Sequence, residues 1–206
     1  EKIQAIIAVT GQAEEGHYLF FTTRQGTVKR TTVTAFANIR SNGLIAIGLK
    51  EDDELVNVLL TDGRSNIIIG THNGYSVTFS EEAVRDMGRT ASGVRGIRLR
   101  EEDYVVGAAL MNEDQEVLII TEKGYGKRTK VSEYPVKGRG GKGIKTANIT
   151  EKNGPLAGLA TVVGDEDIML ITDKGVIIRF NVATVSQTGR ATLGVRLIKM
   201  EADTKV

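Results

Sequence analysis

The chain of 206 residues has no cysteine and no tryptophan, and only two histidines. Without cysteine there is no disulfide and no cysteine-ligated zinc or iron–sulfur site, which fits a reducing cytosol. Without tryptophan, repeats of the tryptophan–aspartate type are excluded. The histidines, His17 and His72, fall in different segments with no Ser, Cys or second ligand nearby. Neither starts a nucleophilic or metal-binding constellation. Long apolar runs are also missing: the stretch around Leu118–Ile120 is far shorter than the roughly 20 residues of a membrane-crossing helix. The chain opens at Glu1 with neither a leader pattern nor an initiator methionine, and on that ground it reads as a piece of a longer polypeptide. An excess of one charge is absent too: the net charge is +1, which by itself points to no polyanionic partner.

What is present is repetition. Four segments, 1–50, 51–100, 101–150 and 151–200, overlay on one another. Each has an apolar run that ends in a glycine turn: HYLFFTT before Gly26, SNIIIGT before Gly74, QEVLIIT before Gly124 and DIMLIT before Gly175. An alternating segment follows each glycine, as in TVKRTTV and YGKRTKV, then a looser stretch with a second glycine at Gly43, Gly93, Gly140 or Gly194. A further alternating run closes the repeat, and acidic turns such as Glu51-Asp52-Asp53 and Glu101-Glu102-Asp103 open the next. Period-two alternation around glycine turns reads as hairpins. About four strands per repeat are predicted, in the first Ala5–Thr10, His17–Thr23, Thr27–Val33 and Leu44–Leu49. Only looser stretches such as Glu81–Met87 leave room for a helical turn. The fold class is therefore all-β, a propeller-like array of four-stranded blades, with one irregular sandwich or barrel as the alternative.

The charges segregate within the repeat. The windows Val33–Lys50, Ala83–Arg100, Tyr134–Thr150 and Ala183–Met200 hold 14 of the 27 Lys and Arg but only one acid, Asp86, of the 26. Equivalent positions of stacked repeats share a side of the array, so this pattern predicts a basic rim opposite an acidic one. Such a rim suits a partner with evenly spaced negative charges. Lys137-Gly138-Arg139-Gly140-Gly141-Lys142-Gly143 is its sharpest local motif: the glycines allow close approach and offer backbone N–H groups, and the cations add charge. It lacks the spacing of a nucleotide-binding phosphate loop, since Gly143 follows the lysine where Ser or Thr is needed.

Arg139-Gly140-Gly141-Lys142-Gly143 is similar to the last five positions of Q-R-R-G-G-K-G, the heptapeptide of the C-terminal domains of DNA gyrase A proteins. The resemblance runs along the chain through Gly26-Thr27-Val28-Lys29-Arg30-Thr31, Asn73-Gly74-Tyr75, Ser92-Gly93-Val94-Arg95-Gly96-Ile97-Arg98-Leu99, Gly124-Tyr125-Gly126-Lys127-Arg128-Thr129, and Gly189-Arg190 before Gly194-Val195. It implies a β-pinwheel, a propeller variant whose blades exchange strands. It also implies one DNA-wrapping domain fragment spanning 1–206, which gives an attached type II topoisomerase its directional, negative supercoiling. The implied partners are double-stranded DNA, the remainder of DNA gyrase A, and DNA gyrase B, with no membrane and no small-molecule substrate. No cofactor is expected in this chain, ATP and Mg²⁺ being used through gyrase B, and a cytoplasmic location follows. Two departures stand out. Lys137 and Gly138 replace Gln and Arg, and the motif lies in the third repeat instead of the first blade. The expectation is that the blade with the full heptapeptide, like the catalytic domain, lies outside this chain.

The candidate DNA-contacting residues are Arg40 in the first repeat and Arg85, Arg89, Arg95, Arg98 and Arg100 in the second. The third contributes Lys137, Arg139, Gly140, Gly141, Lys142, Gly143 and Lys145, and the fourth Arg190, Arg196 and Lys199. No catalytic or metal-binding residues are assigned. The acids Glu51–Glu54 and Asp165–Asp167 lack calcium-loop spacing and read as solvated turn charges. The alternatives are the related C-terminal domain of topoisomerase IV, selecting DNA geometry, and a propeller-like scaffold for an acidic protein.

Overall fold

In the computed structural model, which describes residues 3–8, 15–39, 41–201 and 203–206, each apolar run becomes the first strand of a hairpin. The alternating segment after the glycine becomes the second. The hairpins are β1 (Tyr18–Thr23) with β2 (Thr27–Thr32), β4 (Asn66–Thr71) with β5 (Tyr75–Ser80), β8 (Glu116–Thr121) with β9 (Tyr125–Lys130), and β12 (Asp167–Ile171) with β13 (Ile177–Asn181). Between them lie β3 (Leu55–Thr61), β6 (Val94–Arg95), β7 (Val105–Met111), β10 (Ile144–Lys145), β11 (Leu156–Val162) and β14 (Val195–Arg196). Helical structure among the described residues is limited to four 3-10 turns, one of them Glu81–Ala83 inside the stretch that left room for it. The hairpin glycines sit in the left-handed region, Gly124 at φ 76°. A Cβ there would lie 2.4 Å from Ile198 Cγ2, so both the turn and its packing require glycine.

The sheets are assembled across repeats. Their strand orders are β3-β1-β2-β6, β10-β5-β4-β7 and β11-β8-β9-β14, and the last sheet is β12-β13 alone. Each four-stranded blade is thus the hairpin of one repeat flanked by the first and last strands of the next. All of these pairings are antiparallel. This is the strand-exchanged propeller architecture of a β-pinwheel. Two strand expectations are corrected. Residues 44–49 form no strand, and 5–8 none either, while 9–10 lie outside the described residues. Blade-flanking strands pair with the hairpin of the preceding repeat, and the first repeat has none before it in this chain. For the same reason the fourth sheet has two strands where four were predicted.

Blades stack through alternate side chains. Ile67 and Ile69 of β4 enter one core with Phe20, Val28 and Phe79, whereas Ile68 between them enters the next with Val117 and Ile119. Leu118 and Ile120 of β8 then turn to a third core with Leu170 and Val182. A strand buried on both faces has apolar residues at every position, which accounts for the unbroken Ile67-Ile68-Ile69 and Val117–Ile120 runs. β12 has the same alternation, but its outer side chains Met169 and Ile171 are 65% and 55% exposed.

Glu51, Asp52, Glu54 and Asp165–Asp167 are exposed as read, but Asp53 is buried, which corrects its reading as a solvated charge. Asp53 Oδ1 accepts the backbone N–H groups of Gln25 and Glu54, each at 2.9 Å. Asp103 repeats this with Asn73 and Tyr104, and also accepts Thr71 Oγ1 at 2.7 Å. Each such aspartate ties the start of one repeat to the hairpin turn of the one before. The residues preceding them, Asp52 and Glu102, take φ 57° and 55° to make the turn.

Candidate nucleic-acid interface

The looser stretches after each hairpin join into one band, because each hydrogen-bonds its neighbour. Gly48 N–H donates to Ala91 O (3.2 Å), Gly140 N–H to Gly96 O (2.7 Å), Arg98 N–H to Gly141 O (2.8 Å) and Asn148 N–H to Thr192 O (3.0 Å). Guanidinium groups reinforce the seams. Arg139 donates to Ala83 O (3.1 Å) and Arg95 O (2.5 Å), and Arg100 to Lys142 O (2.6 Å) while lying 3.4 Å over the Tyr75 ring. Arg190 donates from Nε to Glu133 O (3.0 Å) and from Nη1 to Lys145 O. A band locked in this way holds its cations at a fixed spacing.

Of the predicted residues, Arg40 lies outside the described ones. Arg85, Arg95, Arg98, Lys137, Lys142, Lys145, Arg196 and Lys199 are exposed, and Arg89, Arg100, Arg139 and Arg190 are half-buried. Arg196 lies 6.0 Å over the Tyr125 ring. The ion pairs among described residues join other cations: Arg30 to Glu81, Arg128 to Glu116, Arg179 to Asp167 and Lys205 to Glu122. So, among the described residues, Arg30, Arg128 and Arg179 on the hairpins have carboxylate partners, and the predicted band cations have none within ion-pair distance. That asymmetry sets up the positive potential along the band.

One expectation about the glycine-rich motif is narrowed. Its backbone was read as offering N–H groups to an anion, but the Gly140 N–H is spent on Gly96 O and the Lys137 N–H on Thr78 O (2.8 Å). Gly143 serves close packing. Gly143 has φ 72°, and a Cβ on it would lie 2.5 Å from Ser76 O, where β10 docks on β5. The side chains of Lys137 and Lys142 in the motif are exposed.

Two residues that sequence reasoning passed over lie under the band. Lys29 on β2 and Lys127 on β9 are fully buried. The Lys29 ammonium donates to Ala46 O, Gly88 O (3.2 Å) and Arg89 O. That of Lys127 donates to Gly189 O (2.8 Å), Arg190 O and Thr192 Oγ1 (3.2 Å). Burial pushes both ammonium groups down to about 8 from the ordinary 10.5; around Lys127, Glu133 opposes that shift and Arg190 adds to it. Their signal in the sequence was a lysine at an inward position of the alternation, recurring two repeats apart.

Set beside known proteins, the chain matches the family model described as DNA gyrase C-terminal domain, beta-propeller, over residues 17–62, 65–110, 115–162 and 166–206. It is 66% identical over its whole length to the DNA gyrase A protein of Streptococcus pyogenes serotype M3, of which it spans 25%. Among solved structures it is similar to the C-terminal domain of DNA topoisomerase IV, with TM-score 0.86 and 31% identity over 91% of this chain and 59% of that one. It is equally similar in shape to the DNA gyrase A C-terminal domain, with TM-score 0.86 and 26% identity over 94% of this chain and 65% of that one.

Proposed function

The chain belongs to the DNA gyrase C-terminal domain family, and from that premise we propose that it binds double-stranded DNA along the basic band and wraps it. The single observation behind this reading is the band itself: loops of successive blades hydrogen-bonded edge to edge, their cations, among the described residues, without an ion-pair partner. Phosphates recur along a duplex at regular intervals, and a rigid row of unpaired cations on a curved stack of blades matches them only if the duplex bends. Affinity then comes from released counterions, and preference among sequences from the ease of bending.

Within a gyrase, this wrapping presents one segment of the duplex to the strand-passing machinery in a fixed sense and so gives negative supercoiling its direction. The chain's share in that work is mechanical. The remainder of gyrase A, together with gyrase B, would be its partner in the bacterial cytoplasm, with ATP and Mg²⁺ serving those other parts. The 66% identity to a DNA gyrase A protein favours gyrase over topoisomerase IV, whose C-terminal domain shares the shape.

The test is a DNA titration at several salt concentrations. Arg98→Ala and Lys142→Ala each remove an exposed band cation, and each is expected to lower the log–log salt slope by about 1, equally on unrelated sequences. Arg64→Ala removes an exposed cation outside the band and is expected to leave the slope unchanged, since beyond a Debye length of about 10 Å at 0.1 M salt a charge is screened. Equal effects in the two sets would refute a DNA-tracking band. Binding of an acidic protein with no affinity for duplex DNA would establish the scaffold reading instead.

A further inference from the structure

We propose that Lys29 and Lys127 are positioning residues of the band: each buried ammonium grips the two carbonyls that flank an arginine of the next repeat and thereby fixes where Arg89 and Arg190 point. This rests on the DNA-binding reading above. The carbonyl of Gly88 belongs to the peptide plane before Arg89, and the carbonyl of Arg89 to the plane after it. Lys29 holds both. Lys127 holds the same pair around Arg190. Fixing both planes fixes the backbone dihedrals at the arginine and hence the direction of its Cα–Cβ bond.

Three acceptors meet three N–H donors at each ammonium, so the group is saturated, and no carboxylate bonds to it. Burying a cation among neutral partners is costly, and the other two hairpins avoid it by placing Val77 and Ile178 at the equivalent position. At Val77 the space under the loop is a cavity of about 230 Å³ lined also by Thr78, Gly138, Gly141 and Lys142. There the Arg139 guanidinium holds the loop from outside, as Arg190 holds its own through Glu133 O and Lys145 O, so the lysine is an addition to that hold. A cation buried under two of the three docked loops and replaced by Val77 under the other is not a requirement of the fold. Its distinguishing effect is on the Gly-Arg pair of the loop.

The experiment is a double-mutant cycle on this chain, read as affinity for a mixed-sequence duplex. Arg89→Ala is expected to weaken binding about tenfold, the size of one charge-assisted contact. Lys29→Met is expected to weaken it similarly, and Lys29→Met in the Arg89→Ala background to add nothing. The same holds for Lys127→Met with Arg190→Ala. Full additivity, or no effect of the lysine variants where the arginine variants weaken binding, would overturn the proposal. No effect of the arginine variants themselves would instead refute the DNA-binding reading of these loops.

A second readout needs no substitution in the fold. With the N-terminus acetylated, so that the α-amino group does not titrate in the same range, the affinity of the unmutated chain is expected to fall as pH rises through about 8. There Lys29, facing only carbonyls and the Phe21 ring, and Lys127, near Glu133 and Arg190, lose their protons. An affinity flat to pH 9 would overturn the proposal even if the lysine variants failed to fold.

Discussion

Charged residues of this chain divide by what they touch. Band cations such as Lys142 and Arg98 meet solvent, Arg30, Arg128 and Arg179 on the hairpins meet carboxylates, and Lys29 and Lys127 meet backbone carbonyls in the interior. The buried pair gives stability a definite pH dependence. In the unfolded chain these lysines keep their protons up to about 10.5, whereas the folded chain releases them near 8. Between these values the unfolded state binds more protons, so stability rises with pH. Above pH 10 the buried Tyr134, whose hydroxyl is pushed up by burial, opposes the trend, because the unfolded tyrosine ionises first. Thermal unfolding followed from pH 7.5 to 10 is expected to show that rise, and Lys29→Met with Lys127→Met to abolish it. Aspartates act at the same scale. Asp103→Ala removes the acceptor of two backbone N–H groups and of the buried Thr71 hydroxyl. The expected loss is about 1–2 kcal/mol in denaturant unfolding. Glu101→Ala in the same exposed turn is expected to change stability by less than about 0.5 kcal/mol.

Short strands that close each blade, β6, β10 and β14, decide whether a band loop is docked. Only two residues long, they depend on glycines that let the chain approach a hairpin backbone. Within Arg139-Gly140-Gly141-Lys142-Gly143 the glycines are not equivalent. Gly143 has a left-handed φ and Ser76 O in the path of any Cβ, whereas at Gly141 the nearest heavy atom would lie 4.0 Å away. Gly143→Ala is expected to cost at least about 1 kcal/mol through backbone strain and overlap. It is also expected to weaken DNA binding, by releasing β10 from β5. Gly141→Ala is expected to leave the melting temperature nearly unchanged. Differential scanning calorimetry of the two variants makes the comparison.

Over the whole molecule, stability grades along the stack. Hairpins β4-β5 and β8-β9 have sheet partners on both edges and packed cores on both faces, whereas β12-β13, among the described residues, lacks flanking strands and packs on one face. A segment with unpaired edges and one buried face opens more readily. Hydrogen exchange is therefore expected to be faster in 167–171 and 177–181 than in 66–71 and 116–121. Equal protection would mean that the exposed face of the fourth hairpin is covered in solution.

Repeat spacing, glycine-turned hairpins, the two-faced apolar runs and the segregation of charge were all legible in the sequence, because each is set by local alternation or by composition. Val117–Ile120 announces a strand buried on both sides before any partner is known. Partnership itself was not legible. The closing run 94–99 of the second repeat looks no different from 44–49 of the first, yet it includes a strand, because a hairpin precedes it to receive it. The same long-range pairing turned Asp53 from a solvated charge into a tie between repeats, a role that Asp103 shares. It spent the Gly140 N–H on a neighbouring loop and placed Lys29 and Lys127 under arginines some sixty residues away. Local sequence determines which segments extend and where charge collects. Which backbone groups face one another is decided only when successive repeats stack, because the groups that satisfy each blade belong to the next.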